Sequence, residues 1–144
     1  MQPAITEFLA QRRIAVVGVS RNRGFGNAVF KKLAECGYET VPINANADTV
    51  EGARCFRSLA KLPAPVDAVV TVVPPSQTPG LVEECAALGI RHIWMQQGSE
   101  SKEAIEKAAA LGLNAVHHAC LLMYADPRGI HRLHRWVHDR FGRV

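Results

Sequence analysis

Apolar residues along this chain fall into two kinds of stretch that alternate. Short, nearly unbroken apolar runs read as strands buried on both faces: the valine-rich run opening at Ile14, then Glu39 to Ile43, Val66 to Val73, Arg91 to Met95 and Leu113 to His117. Between them the apolar positions take helical spacing. Asn27 to Cys36 carries Val29, Phe30 and Leu33 on one stripe, Thr78 to Leu88 has Pro79 in its first turn, and Ser99 to Leu111 forms a further helix. A short helix over Gln2 to Gln11, capped by Thr6 and turning Ile5, Phe8 and Leu9 inward, precedes the first strand.

The junctions Cys36-Gly37-Tyr38, Leu88-Gly89-Ile90 and Leu111-Gly112-Leu113 each end a helical pattern just before a β-prone run. Repeated units of this kind predict a three-layer α/β fold with a five-stranded parallel sheet in the order 3-2-1-4-5, joined by right-handed crossovers. All strand C-terminal ends then share one edge, and the crevice opens where the loops after strands one and four diverge. Asn44 to Pro65 reads as a connection with a short helix around Ser58 to Leu62. Pro127 to Phe141, with Ile130, Leu133, Val137 and Phe141 on one stripe, reads as a docking helix.

With 144 residues, 48% hydrophobic and 21% charged, the chain supports one core, so 1–144 is expected to be a single domain. The net charge of +4 permits a polyanion, but the basic residues gather near both ends instead of forming one run. A phosphate ligand is the expectation, not a nucleic acid. Cys36, Cys55, Cys85 and Cys120 form no C-x-x-C pair and lie in or beside apolar segments, which fits a reduced, cytoplasmic setting. There is no basic-then-apolar leader, and no apolar run nears the roughly 18 to 20 residues a membrane span needs, so a soluble protein is expected.

The candidate chemistry collects on the predicted edge. After the first strand, Gly18-Val19-Ser20-Arg21-Asn22-Arg23-Gly24-Phe25-Gly26 opens a helix, whose first N–H groups lack intrahelical partners and attract an anion. Against the G-x-G-x-x-G fingerprint, Gly18 matches, while Ser20 and Arg23 stand at the second and third glycine positions. A hydroxyl and two arginines favour a more heavily phosphorylated ligand than a nicotinamide dinucleotide, with a plain turn bearing solvated arginines as the bland alternative. At the end of strand two, where an NAD site places a carboxylate, stands Asn44. Its amide can bond an adenosine without repelling a 2′- or 3′-phosphate.

His131, His134 and His138 share a narrow arc of the last helix, but Arg135 occupies the place of a zincin's catalytic Glu, so an interfacial face is the better reading than a metal site. His117-His118 ends a strand at the ligand edge, where a ligand contact and a structural role are equally open. No Ser-His-Asp order, carboxylate pair or nucleophile elbow is visible, so no catalytic residues are assigned. The edge offers amide, hydroxyl, proline and glycine, which bind ligands and rarely move protons.

Taken together, Ile14-Ala15-Val16-Val17-Gly18-Val19-Ser20, Gly37-Tyr38 through Val41-Pro42-Ile43-Asn44, Ser58-Leu59 with Leu62-Pro63 and Val66-Asp67, Val73-Pro74-Pro75, and Ile93-Trp94-Met95-Gln96-Gln97-Gly98 resemble the small stand-alone CoA-binding domain proteins. The resemblance covers most of Ala10 to Tyr124, in order. It implies a Rossmann-like fold similar to the CoA-binding domain of the succinyl-CoA synthetase α subunit. It also implies coenzyme A or an acyl-CoA as ligand, met by Gly18, Val19, Ser20 and Arg21, by Asn44 and by Val73, Pro74 and Pro75. Arg23, Gln97 and Gly98 complete the expected binding set, since Gly98 precedes a further helix start. The phosphohistidine domain of those synthetases has no counterpart here, so the expected role is a binding or regulatory module without catalysis. Many stand-alone relatives carry Asp-Arg-Cys near the end of strand five, where this chain has His118-Ala119-Cys120.

Two other classes stay open: an NAD(P)-dependent oxidoreductase or redox sensor, and a protein-interaction module with an empty cleft. The missing carboxylate after strand two weighs against the first, and the basic loop weighs against the second. A homo-oligomer stays open as well.

Overall fold

The structure, a computed structural model, describes residues 3–125. The docking helix expected over 127–141, with its three histidines, lies outside the described residues. In chain order the elements are α1 (Pro3–Leu9), β1 (Arg13–Val17), α2 (Phe25–Glu35), β2 (Glu39–Ile43), β3 (Thr49–Val50), β4 (Ala53–Arg54), β5 (Ala68–Thr71), α3 (Thr78–Ala87), β6 (His92–Gln96), α4 (Lys102–Ala110) and β7 (Asn114–Ala119). Single 3-10 turns occupy Leu59–Lys61, Pro75–Gln77 and Leu121–Met123. Thr6 sits inside α1 and not at its start, because Pro3 opens that helix.

The predicted five-stranded parallel sheet is present, in the order β2-β1-β5-β6-β7. Counting only its own strands in chain order, that is 2-1-3-4-5, which corrects the expected 3-2-1-4-5. Two features hold β2 at the edge. Pro42 has no N–H to give a neighbouring strand, which confines it to an edge position. In addition, the segment after β4 already occupies the outer side of β2: Phe56 N–H donates to the Pro42 carbonyl at 3.0 Å, and Asn44 N–H to the Phe56 carbonyl at 2.9 Å. The chain must therefore cross β1 to place β5, and the crevice moves to the ends of β1 and β5, the first and third strands of the sheet.

Side chains alternate across the sheet and feed two cores. Ile14, Val16, Ala68, Val70, Trp94 and Val116 face α1 and α2, where they meet Phe8, Leu9, Val29, Phe30 and Leu33. Trp94 packs edge-on against Phe8 at 5.3 Å between ring centroids and donates its indole N–H to the Ala119 carbonyl at 3.0 Å. Ala15, Val69, Ile93 and Met95 face α3 and α4, against Val82, Cys85, Ala104 and Ala108. The three helix–glycine–strand junctions close as Schellman turns: Tyr38, Ile90 and Leu113 donate back to Leu33, Cys85 and Ala108 across Gly37, Gly89 and Gly112, which have φ of 94°, 77° and 74°. Tyr38 also donates its hydroxyl to the Leu9 carbonyl, and burial pushes its phenol well above the usual range.

Candidate functional site

The site is built where β1 and β5 stop pairing. Gly18 follows β1 directly with φ of 115°, and a Cβ on it would lie 2.0 Å from the Val72 carbonyl oxygen. Gly26, in the first turn of α2, is as tightly placed: its Cβ would come 2.3 Å from the Gly18 carbonyl oxygen. Strand, loop and helix start are thus pressed together by two missing side chains. This leaves the orphan N–H groups of α2 facing the loop without a carboxylate in the first turn.

Asn27 fixes the loop's shape. Its side chain, buried to 2% exposure, accepts from Ser20 N–H at 2.6 Å, donates to the Ser20 carbonyl at 2.8 Å and donates to Glu51 Oε2 at 2.9 Å. Glu51 sits at the tip of the β3–β4 hairpin with φ of 50°, beside Gly52 at 77°, and also faces Lys31 at 3.7 Å. The Ser20 backbone therefore serves the fold, while its hydroxyl has one long contact, 3.4 Å from Asn22 N–H. Arg21 and Arg23 stand exposed on the loop.

Asn44 is a second clamp. Its Nδ2 donates to the Val19 carbonyl at 2.7 Å and its Oδ1 accepts from Asn46 N–H at 2.7 Å, so the amide ties the β2 end to the β1 loop. Beside these loops runs a cleft of about 250 Å³, lined by Val17, Gly18, Val19, Ile43, Asn44, Ala45, Arg57, Ser58, Leu59, Val73, Gln77, Leu81 and Glu84. Arg57 donates to the Ala45 carbonyl at 2.9 Å and to Asp48 at 2.8 Å. It also lines an adjoining groove of about 560 Å³ with Arg54 and Lys61, where the Arg54 guanidinium lies 5.0 Å from the Phe56 ring centre. Among the described residues, three cations against one carboxylate, Asp48, make that groove a place for anionic charge.

Of the residues expected to bind, Gly18, Val19, Asn44 and Val73 come together in the cleft wall. Ser20, Arg21 and Arg23 lie on the loop above it. Pro74 and Pro75 are exposed in the turn after β5, and Gln97 and Gly98 are exposed after β6. Gly98 takes φ of 94° and donates its N–H to Glu100 at 3.1 Å. His117 and His118 are exposed at the end of β7, with their Nδ1 atoms 2.7 Å apart, and neither lines the cleft. Among the described residues no group of His, Cys, Asp or Glu is placed to hold a metal ion.

Asn27, Arg57, Gln77, Leu81 and Glu84 join the site beyond the expected residues, while Gly26 already closes the expected Gly18 to Gly26 loop. A signal existed for three of them: Gln77, Leu81 and Glu84 recur at i, i+4 and i+7, one stripe running from the N-cap of α3 along its side.

The residues fit an adenosine-type phosphorylated ligand: a glycine cradle at a helix start for a phosphate, apolar walls for a flat group, and a basic groove for further charge. The fold and crevice define a doubly wound, Rossmann-like binding domain. More narrowly, the chain belongs to the CoA binding domain family, whose model matches residues 12–126. It is 32% identical over 111 residues to the uncharacterized protein YneT of Bacillus subtilis, covering 76% of this chain and 82% of that one. It is 29% identical over 126 residues to the α subunit of the ADP-forming acetate–CoA ligase II of Pyrococcus furiosus, of which it spans only 28%. Among solved structures, a conserved hypothetical protein from Pyrococcus furiosus superposes with a TM-score of 0.73 at 36% identity, over 78% of this chain and 97% of that one. No helix among the described residues is long and apolar enough to cross a membrane.

Proposed function

We propose that this protein binds coenzyme A or an acyl-CoA in the crevice between the β1 and β5 loops, as a binding or regulatory module without catalysis of its own. The observation that carries the reading is the pair Gly18 and Gly26, whose absent side chains let the loop backbone and the α2 N-terminus converge beside the cleft. When bound, coenzyme A supplies a thiol that carries acyl groups. The chain's part is to hold it: loop N–H groups with Arg21 and Arg23 meet the phosphates, Asn44 keeps the loop in register, and Val73 walls the cleft. Pro74, Pro75, Gln97 and Gly98 form its outer rim. Four free cysteines suit a reducing, cytoplasmic setting.

Calorimetry with CoA, acetyl-CoA, NAD and NADP tests this. CoA is expected to bind more tightly than NAD, and equal or tighter NAD binding overturns the reading in favour of an oxidoreductase. Arg21→Ala is expected to weaken CoA by about tenfold to a hundredfold with the fold intact, the worth of one charge-assisted hydrogen bond.

A further inference from the structure

Among the described residues Glu84 is the one carboxylate in the cleft wall, and its Oε1 is buried with no hydrogen-bond partner among them. The neighbouring polar side chains do not reach it: Asn44 is engaged with Val19 and Asn46, and Arg57 with Ala45 and Asp48. On α3 it stands two turns below the exposed Gln77, roughly 10 Å along the helix axis, with Leu81 between them. Around it the cleft is walled by Val17, Ile43, Leu59 and Leu81. A buried acceptor left unpaired is unfavourable in the free protein, and natural interiors rarely keep one without a use.

We propose that Glu84 reads the exocyclic amine of the adenine ring, and so makes the cleft specific for an aminated base. This rests on the coenzyme A reading. The chemistry selects the group by elimination. A phosphate brings charge of the same sign and only acceptors to a carboxylate. A pantetheine amide brings a donor, but on a flexible chain with no flat face to fill the space between apolar walls. An adenine ring is flat, apolar on both faces and carries a donor at its edge, which suits one orphaned acceptor that a turn of the Glu84 side chain presents between the apolar walls.

The test compares CoA with an analogue whose base is purine, hydrogen replacing the amine, against wild type, Glu84→Ala, Glu84→Gln and Glu84→Leu. Wild type is expected to bind the purine analogue about tenfold to a hundredfold more weakly than CoA. Glu84→Ala should lose that factor on CoA and treat the two ligands alike, a full coupling in the double-mutant sense. Glu84→Gln, which retains an acceptor oxygen, should keep part of the discrimination. Glu84→Leu should melt higher than wild type without ligand, because the orphaned oxygen is gone, yet bind CoA more weakly. A wild type indifferent to the amine, or a Glu84→Ala protein that keeps the wild-type ratio, overturns the inference and leaves the coenzyme A reading standing. Failure of wild type to bind CoA at all overturns both.

Discussion

The C-terminal edge of the sheet has two halves that spend their polar groups differently. At the ends of β1, β2 and β5, side-chain amides clamp backbone: the buried Asn27 holds Ser20 and the half-buried Asn44 holds Val19, and the loops they shape stand apart around a cleft. At the ends of β5 and β6, side-chain hydroxyls clamp each other. Thr71 Oγ1 lies 2.8 Å from Ser99 Oγ, and Thr78 Oγ1 reaches both the Ser99 carbonyl and its hydroxyl at 2.5 and 3.1 Å. Gln96, 1% exposed, seals the β7 side by accepting from Leu121 N–H at 2.9 Å and donating to Cys120 Sγ. The same edge is therefore open beside the β1 and β5 loops, where coenzyme A is proposed to bind, and closed where the hydroxyls of Thr71, Thr78 and Ser99 fill the space between β5 and β6. Polar residues at a strand edge are not by themselves a site; what distinguishes the halves is whether the clamp shapes a concavity or fills one.

The comparison breaks most sharply at Gly18. Gly18→Ala sets a Cβ against the Val72 carbonyl at a left-handed φ and is expected to cost at least about 3 kcal/mol in denaturant unfolding. Gly89→Ala, at φ of 77° but with nothing within 4 Å, should cost only about 1–2 kcal/mol, the price of the dihedral alone. Asn27→Ala orphans the Ser20 backbone groups, should cost about 2–3 kcal/mol, and should weaken CoA as well. In the closed half, Thr78→Val removes the hydroxyl links to Ser99 and should cost about 1–2 kcal/mol while leaving CoA affinity unchanged by calorimetry. A parallel loss of affinity would show that the two halves are one unit.

The smallest effect lies far from both halves, at His92 on the opposite edge. Burial, opposed by Glu7 and Asp67, holds its pKa below the ordinary 6.5, in keeping with the Asn114 amide nitrogen 3.1 Å from its Nδ1. The unfolded chain then takes up this proton more readily than the folded one. Stability from this group is full above 6.5 and is lost as the pH falls from there through the lower folded value. Thermal melts across pH 5 to 8 should show that decline, and His92→Phe should flatten it.

Much of this fold is legible in the sequence, because five apolar runs and three glycine-closed helices leave little else for the chain to build. Strand order is not legible from those runs. A strand buried on both faces looks alike wherever it lies in a parallel sheet, and only Pro42 marks one of them as an edge. In the site, Gly18 and Asn44 are visible as positions, yet Asn44's work is hidden because an amide that binds a ligand and one that ties two loops have the same side chain. Glu84 is harder still. Within Val82-Glu83-Glu84-Cys85 it reads as one of two solvated acids, and only the packing of α3 against the cleft separates it from Glu83, which reaches outward to Lys107 at 2.7 Å.

Pro42 also bears on whether the β2 edge can recruit a second chain. An exposed sheet edge is a template on which a second chain can add its own strand and extend the sheet from molecule to molecule. Along the outer side of β2 such an arriving strand meets no N–H at Pro42, and finds the carbonyl there already bonded to Phe56. Replacing Pro42 with valine would restore the missing donor and leave Phe56 as the remaining guard among the described residues, so self-association by sheet extension should rise first at this edge.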